Sequence, residues 1–285
     1  MKLVTWNLNG RRNRTQQQVE ALAAQGPDLV ALQEVTAHSL PELRTALAAR
    51  ELVHIVDGFT TVPLSDRPRK YRQLVASRFP VRLHSDAIPV PWQEAVLATI
   101  VDSPRGDIEL FNCHIPPGSQ YGWTKVETLE GIFKHIARPA TRPRILCGDF
   151  NTPQAERADG TVITFGQVIG DDGQVTVRRR REGGSGERWD AAERSILTGL
   201  AAHDLADVFR RLHGYGVAEY SWRLKRHGEF TDRRFDHVFA SAALNPVECR
   251  YVHAWREAGL SDHSALEVVF AAPSRRSRSA STRTT

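Results

Sequence analysis

Short apolar runs recur along the whole chain, separated by segments at helical spacing or by turn-forming residues, and this alternation predicts an α/β protein. Leu3 to Leu8 alternates apolar and polar residues and predicts a strand. Thr15 to Gln25 follows as a helix, with Val19, Leu22 and Ala23 on one face and Thr15 and Gln18 in the positions of a capping box. Leu29 to Leu32 reads as a short buried strand and Pro41 to Arg50 as a helix. Strands are expected next at Leu52 to Val56, Tyr71 to Ser77, Val81 to Ala87, Ala95 to Val101 and Ile108 to Cys113. Val126, Leu129, Phe133 and Ile136 mark the apolar face of a helix that precedes a strand at Arg144 to Cys147.

The second half repeats the alternation less regularly. Residues 154–190, rich in Gly, Asp and Arg, read as a long surface insertion. Helices are expected over Ala191 to Ala202 and Ala206 to Leu212, then strands at Ala218 to Trp222, Phe235 to Ala240, Pro246 to His253 and Ala265 to Phe270. No linker divides this body. So many strands with few helices predict two stacked sheets covered by helices, in one domain over residues 1–272, followed by a disordered basic tail over 273–285.

Composition narrows the picture. Of 285 residues, 41% are hydrophobic and 25% charged, enough to build a substantial core and too apolar for a wholly disordered chain. No stretch approaches the roughly 20 apolar residues of a membrane span. The start, Met1 to Asn7, turns polar too early for a signal-peptide core, so a cytoplasmic protein with no membrane association is expected, and with no obligate protein partner evident in the sequence, a monomer. The net charge of +5 is concentrated in the tail: without Arg275, Arg276, Arg278 and Arg283, 34 of the 38 basic residues face 33 acidic ones. A global basic field is therefore a weak pointer to nucleic acid. Cys113, Cys147 and Cys249 each lie in an apolar run without Cys-x-x-Cys spacing and read as buried thiols.

The candidate chemistry lies where polar residues fall against those strands. Asn7 and Asn9 end the first, Glu34 ends the second, His114 follows Ile108 to Cys113, and Asp149 and Asn151 follow Arg144 to Cys147. Asp236 sits in Arg234-Phe235-Asp236, and Asp262 and His263 precede the last strand. Carboxylates, amides and imidazoles at strand ends suit hydrolysis of a phosphate ester. Glu34, helped by Asn9 and Asp262, offers hard oxygen ligands for Mg²⁺ or Mn²⁺. Asn7, Asn151, His114 and His263 can donate hydrogen bonds to a phosphoryl group as charge develops on it. Asp149 can take a proton from water or orient it, and Asp236 can fix the tautomer of His263. With no Ser or Cys nucleophile beside a base, direct attack by water is expected.

Taken together, Thr5-Trp6-Asn7-Leu8-Asn9-Gly10, Leu32-Gln33-Glu34, Asn112-x-His114-x-Pro116-x-Gly118, Gly148-Asp149-Phe150-Asn151, Arg234-Phe235-Asp236 and Ser261-Asp262-His263 resemble the endonuclease/exonuclease/phosphatase superfamily, which includes exonuclease III-like apurinic endonucleases and DNase I. The resemblance spans residues 5 to 263. It implies a four-layer α/β sandwich with two facing mixed β-sheets flanked by helices (DNase I-like). It also implies Mg²⁺ at Glu34, phosphate contacts from Asn7, Asn151 and His263, water activation by Asp149 and an Asp236–His263 pair. Asn9-Gly10-Arg11 and Tyr220-Ser221-Trp222 look most like exonuclease III-type repair enzymes, which implies DNA as substrate, with Arg11 and Arg12 on phosphates and Trp222 against an extruded sugar. His114 departs from this branch, which carries tyrosine there, and is more like DNase I and several phosphatase branches. The alternative on the same fold is a phosphatase or phosphodiesterase for a small phosphorylated metabolite or a phospholipid headgroup.

Overall fold

The computed structural model describes residues 1–11, 13–62, 70–179, 184–226 and 228–272. Arg12 and the tail from 273 lie outside the described residues. Two mixed six-stranded sheets form the body. The first contains β1 (Lys2–Asn7), β2 (Leu29–Thr36), β3 (His54–Asp57), β4 (Tyr71–Ser77), β17 (Pro246–Val252) and β18 (Ala265–Phe270), in the order β17-β18-β1-β2-β4-β3. The second contains β5 (Val81–Leu83), β6 (Val96–Ser103), β7 (Gly106–His114), β8 (Arg144–Asp149), β13 (Ala206–Asp207) and β16 (Asp236–Ala240), in the order β13-β16-β8-β7-β6-β5. Each sheet holds one parallel pair, β1 with β2 and β7 with β8; the other neighbours run antiparallel.

Parallel strands need a crossover, usually helical. Here α1 (Thr15–Gln25) joins β1 to β2, and α4 (Gly118–Tyr121) with α5 (Trp123–Ile136) joins β7 to β8. Each crossover brings two strands to the same end of its sheet. β1 and β2 face β8 and β7 across the sandwich, so four strand ends converge.

Three cores hold the layers together. Leu3, Leu29, Ala31, Val75 and Val268 of the first sheet meet Leu110, Ile145, Cys147, Val238 and Ala240 of the second between the sheets. Val4, Trp6, Leu32 and Leu74, on the opposite face of the first sheet, pack against Val19 and Leu22 of α1, Leu43 and Leu47 of α2 (Leu40–Ala48) and Trp255 of α8 (His253–Glu257). Phe111, Leu146 and Phe239 on the outer face of the second sheet meet α5 and α6 (Gly186–Leu197). The central strands are thus covered on both faces, and the four-layer sandwich expected from the motifs is the observed fold. Burying one such side chain contributes about 1.5–3 kcal/mol relative to exposure. All three cysteines are buried and free, as expected.

Several boundaries differ from expectation. The Thr15/Gln18 capping box is absent: Arg14 is the N-cap residue, without a side-chain capping bond. Gln18 instead donates Nε2 to the carbonyls of Leu8 and Leu260, tying the helix to two loops. β2 runs on past Leu32 to Thr36. The strand expected at Leu52 starts at His54, and α2 covers 40–48 rather than 41–50. The helix expected at 191–202 begins at Gly186, where Ser185 accepts from the Arg188 amide, and ends at Leu197 before a short 3₁₀ turn. Ala206–Asp207 is an edge strand, and Asp207 caps the short helix α7 (Val208–His213).

Residues 154–190 are more than a surface insertion. They contain two small hairpins, β9 (Ala155–Glu156) with β10 (Val162–Ile163) and β11 (Gln167–Ile169) with β12 (Val175–Val177). Val162 and Ile163 are buried, and Trp189 is fully so. The strand expected at 218–222 starts only at Trp222, where β14 (Trp222–Arg226) pairs with β15 (Glu229–Arg233) as a hairpin. Gly228 provides the positive φ of +87° that its turn requires.

Glu156 inserts between Arg210 and Arg234, and Arg234 also reaches Asp207 at 2.7 Å. Burial opposes ionisation of Glu156, but these guanidiniums outweigh it and hold its carboxyl at about 2. Asp207 is held well below the ordinary range by Arg234 and His237, again against burial. Depressed carboxylates stabilise the fold fully above their unfolded values, and that stability is lost as pH falls through the folded ones. Thermal unfolding followed from pH 5 to pH 2 should therefore show a steep loss, of which Glu156 contributes on the order of 3 kcal/mol. Glu156→Gln should flatten that part of the curve, and a profile identical to wild type would remove the network from the account.

Candidate active site

Strand register sets most of the site. β8 ends at Asp149, flanked by His114 on β7 and Asp236 on β16, which are its register partners. Across the sandwich, Asn7 ends β1 beside Gln33 of β2. Glu34 does not end its strand. It sits where the β2–β4 register shifts, with φ +54°, and this irregularity turns its carboxylate toward the cleft. His263 lies in the loop before β18, held by its carbonyl accepting from Trp6 Nε1 at 3.0 Å and by Ser261, whose Oγ donates to the Asn7 carbonyl at 2.6 Å. The two sheets are tied beneath the site by buried amides: Gln33 Nε2 donates to Asn112 Oδ1 at 2.7 Å, and Asn112 Nδ2 donates to the carbonyls of Leu32 and Leu74.

Asp149 is the hub. Its Oδ2 accepts from Asn7 Nδ2 at 2.9 Å and its Oδ1 from the Asn151 backbone N–H at 2.8 Å. His263 Nε2 lies 3.8 Å and His114 Nε2 also 3.8 Å from Oδ2. Asn7 Nδ2 further reaches Glu34 Oε1 at 3.3 Å, and His114 Nε2 stands 3.4 Å from the same oxygen. Asn151 Nδ2 bonds the Ile115 carbonyl at 3.0 Å and Asp149 Oδ2 at 3.4 Å. His263 Nδ1 and Asp236 Oδ2 are 2.7 Å apart.

Burial alone would lower the His263 pKa, but the carboxylates of Asp236 and Asp149 outweigh it and raise it to about 10, so the ring is a cation at neutral pH. Burial pushes Asp149 the other way from an ordinary carboxylate, up to about 7, with His263 pulling it down. The result is a carboxyl that can take up a proton near neutral pH and a cationic ring, held face to face in a cleft of about 600 Å³ lined by Glu34, Tyr71, His114, Asp149, Asn151 and His263 among others.

The donor set suits a hard divalent cation. Ligand atoms of Asp149, Asp236 and His263 lie within 4.8 Å of one another, and Asp236 Oδ1 is buried without a hydrogen-bond partner. With His263 charged and paired with Asp236, the oxygens left to a cation are those of Glu34 and Asp149, both of which accept from Asn7 Nδ2, and such carboxylates are the hard donors that Mg²⁺ and Mn²⁺ select.

Glu34, Asn7, His114, Asp149, Asn151, Asp236 and His263 are thus brought together. Asn9 and Asp262 stand apart from the cleft lining. Asn9, at φ +54°, donates its backbone N–H to Asn7 Oδ1, which orients that amide. Asp262 Oδ2 accepts from Trp222 Nε1 at 3.3 Å, and its Oδ1 is buried without a partner. Trp222 is half-buried, stacked on Phe235 with centroids 5.4 Å apart and bridged through its backbone to His263. Arg11 is exposed at the end of the first loop, and Arg12 falls outside the described residues.

Sequence reasoning missed the hairpin β14–β15. Arg223 lies over Tyr220 at 4.3 Å and over Phe230 at 4.9 Å, Lys225 lies over Phe230 at 5.5 Å, and Phe230 is 58% exposed. Interleaved basic and aromatic residues between Trp222 and Arg233 were the available signal.

Residues 4–263 match the family model described as the Endonuclease/Exonuclease/phosphatase family. No curated protein matches the chain. Among solved structures, an AP endonuclease from Archaeoglobus fulgidus superposes with a TM-score of 0.66 at 19% identity, over 95% of this chain and 100% of that one. A 3′-5′ exonuclease (NExo) from Neisseria meningitidis gives 0.61 at 22% identity, over 95% and 99%. D. rerio TDP2 complexed with single-strand DNA product gives 0.63 at 18% identity, over 95% and 99%. These likenesses establish the shared fold. No described helix is long and apolar enough to cross a membrane. With the family model covering nearly the whole sandwich, the chain belongs to the endonuclease/exonuclease/phosphatase family and is a hydrolase of phosphoester bonds.

Proposed function

We propose that the chain is a Mg²⁺-dependent phosphodiesterase acting on DNA, of exonuclease III-like type, in which water attacks phosphorus in line. The observation that carries this reading is the Asp149 hub, where a buried carboxylate meets Asn7, Asn151 and the Asp236-held imidazolium of His263. Asp149 orients the attacking water and takes its proton, with Asn7 and the Asn151 backbone N–H fixing the carboxylate. His263, kept charged by Asp236, donates Nε2–H to a phosphoryl oxygen, the His114 ring adds a donor, and Asn7 and Asn151 would each add one by releasing their longer bonds, to Glu34 at 3.3 Å and to Asp149 at 3.4 Å. Glu34 would hold the divalent cation; Asn9, expected to join it, instead orients Asn7 through its backbone N–H, and Asp262 accepts from Trp222 Nε1. The bound ion would neutralise the phosphoryl oxygens and the charge developing on the leaving 3′-oxygen.

DNA is favoured over a small phosphoester by the basic, aromatic hairpin beside the cleft. Lys225 and exposed Phe230 of β14–β15 are joined to His263 through the Trp222 bridge, and Arg223, paired with Asp232 across the hairpin, lies over the Phe230 ring. Such a ribbon suits contacts to phosphates and bases. Arg11 and Arg12 would meet phosphates and Trp222 a sugar. The protein is expected to act as a cytoplasmic monomer.

The test compares abasic duplex, plain duplex with a recessed 3′ end, single strands and small phosphate monoesters, each with Mg²⁺, with Mn²⁺ and with EDTA. Cleavage of DNA that EDTA abolishes is expected, and turnover of the monoesters alone would overturn the DNA assignment. In the same assay Glu34→Gln should raise the Mg²⁺ concentration for half-maximal rate about tenfold or more. An unchanged metal dependence would remove Glu34 from the cation site.

A further inference from the structure

Behind Asn151 lies a charge pair that the reaction scheme does not use. Lys125 on α5 is 1% exposed and Glu193 on α6 is fully buried. Lys125 Nζ lies 2.6 Å from Glu193 Oε1 and donates to the Asn151 carbonyl at 2.8 Å. Glu193 is saturated with donors: Trp189 Nε1 reaches Oε1 at 2.7 Å, while Thr152 Oγ1 and the Phe165 amide reach Oε2 at 2.6 and 2.8 Å. Two successive residues of the catalytic loop, Asn151 through its carbonyl and Thr152 through its hydroxyl, are therefore gripped by one ion pair.

The geometry explains why a cation is needed there. Asn151 has φ +52°, a left-handed conformation uncommon for a side-chain-bearing residue. In that turn its carbonyl is directed back toward α5, while its Nδ2 is directed to the Ile115 carbonyl and Asp149 Oδ2. A buried ion pair is a poor source of net stability, since well-packed apolar residues of similar volume serve as well. Apolar residues could not capture that carbonyl, however. The turn after His114 rests on the same cluster: a Cβ on Gly118 would come within 2.4 Å of the Trp189 ring and 3.1 Å of Lys125 Cδ.

We propose that Lys125 and Glu193 are positioning residues, a buried clamp between α5 and α6 that sets the orientation of the Asn151 amide in the cleft. The clamp rests on the proposed phosphoryl contact of Asn151 only for its effect on rate. Removing one charge would strand the other, so the test is the double variant Lys125→Met/Glu193→Gln, with circular dichroism to establish folding. On a duplex with a recessed 3′ end and Mg²⁺, kcat should fall about 10- to 100-fold while KM changes less than about threefold. In an Asn151→Ala background the same pair should lower kcat less than about twofold, because the clamp acts through that side chain. An equal loss in both backgrounds, or no loss in a folded variant, would overturn the clamp.

A second readout does not depend on activity. The side-chain amide resonances of Asn151 in a ¹⁵N–¹H spectrum should shift in the folded double variant, and unchanged resonances would refute the proposal. If wild type cleaves none of the substrates, this spectrum still decides on the clamp, while the functional reading falls separately. Should that variant not fold, Lys125→Gln/Glu193→Gln, which likewise removes both charges and strands neither, takes its place with the same readouts and the same refuting outcomes.

Discussion

Asp149→Asn is expected to lower kcat on DNA by roughly three or more orders of magnitude with little change in melting temperature. The substitution keeps the shape of the side chain, and its oxygen can still accept from Asn7 or from the Asn151 amide, so the 149–151 turn retains its frame. It removes the negative charge that faces His263 Nε2 at 3.8 Å and the buried carboxylate, held by Asn7 and the Asn151 backbone N–H, that receives the proton from water in the proposed scheme. Two effects then act together: the base is lost, and the His263 cation loses one of the three carboxylates, Asp236, Asp149 and Asp262, that raise its pKa. Steady-state kinetics beside a melting curve checks this. Retained turnover in a folded variant would transfer the proton-accepting role to another group.

Asp236→Asn comes next in size, with an expected loss of about 10²- to 10³-fold in kcat. Asp236 Oδ2 stands 2.7 Å from His263 Nδ1, and Asp236 is the foremost group sustaining the ring's positive charge in a buried position. An amide in its place can still accept one hydrogen bond but supplies no charge, so the imidazolium becomes costly. The sign follows directly. A raised pKa means that the charged ring persists until pH climbs through the folded value, so the variant should lose activity at lower pH than wild type. A pH profile of kcat/KM for the two proteins reads this shift, and superimposable profiles would separate Asp236 from the ionisation of His263.

Much of this site was legible as order along the chain. A polar residue directly after an apolar run is a strand-end residue, and Asn7, His114 and Asp149 are placed by that rule alone because parallel strands end together. Glu34 was found for an incomplete reason. The sequence reads as a strand stopping at Leu32, whereas the strand continues and a bulge with positive φ turns the carboxylate inward. Nothing in Leu32-Gln33-Glu34 announces that backbone, since glutamate seldom adopts it. The apolar/polar alternation of β1 likewise suggests one solvated face. Thr5 is fully buried instead, accepting from Gln33 Nε2 at 2.9 Å, because both faces of the central strands are covered.

Other features lie beyond local pattern. Lys125 and Glu193 stand 68 positions apart on two amphipathic helices, where lysine and glutamate ordinarily mark the wet face. Only tertiary packing buries them together. Asn112 was visible as part of a motif, yet its bridge from β7 to β2 and β4 depends on the facing of the sheets. The capping box at Thr15 failed because Arg14 takes the cap position and Gln18 is drawn to the Leu8 and Leu260 carbonyls, a long-range demand that overrode a local rule.

Anomalous diffraction from crystals of the wild-type protein soaked in Mn²⁺ tests the arrangement most directly. A single strong peak bonded to the Glu34 carboxylate, in the cleft shared with Asp149, Asn151 and His263, is the predicted result, and it should vanish in Glu34→Gln crystals soaked alike. Density for the ion at some other place, with that cleft bare at saturating Mn²⁺, would contradict the assignment of these side chains to one metal-dependent centre.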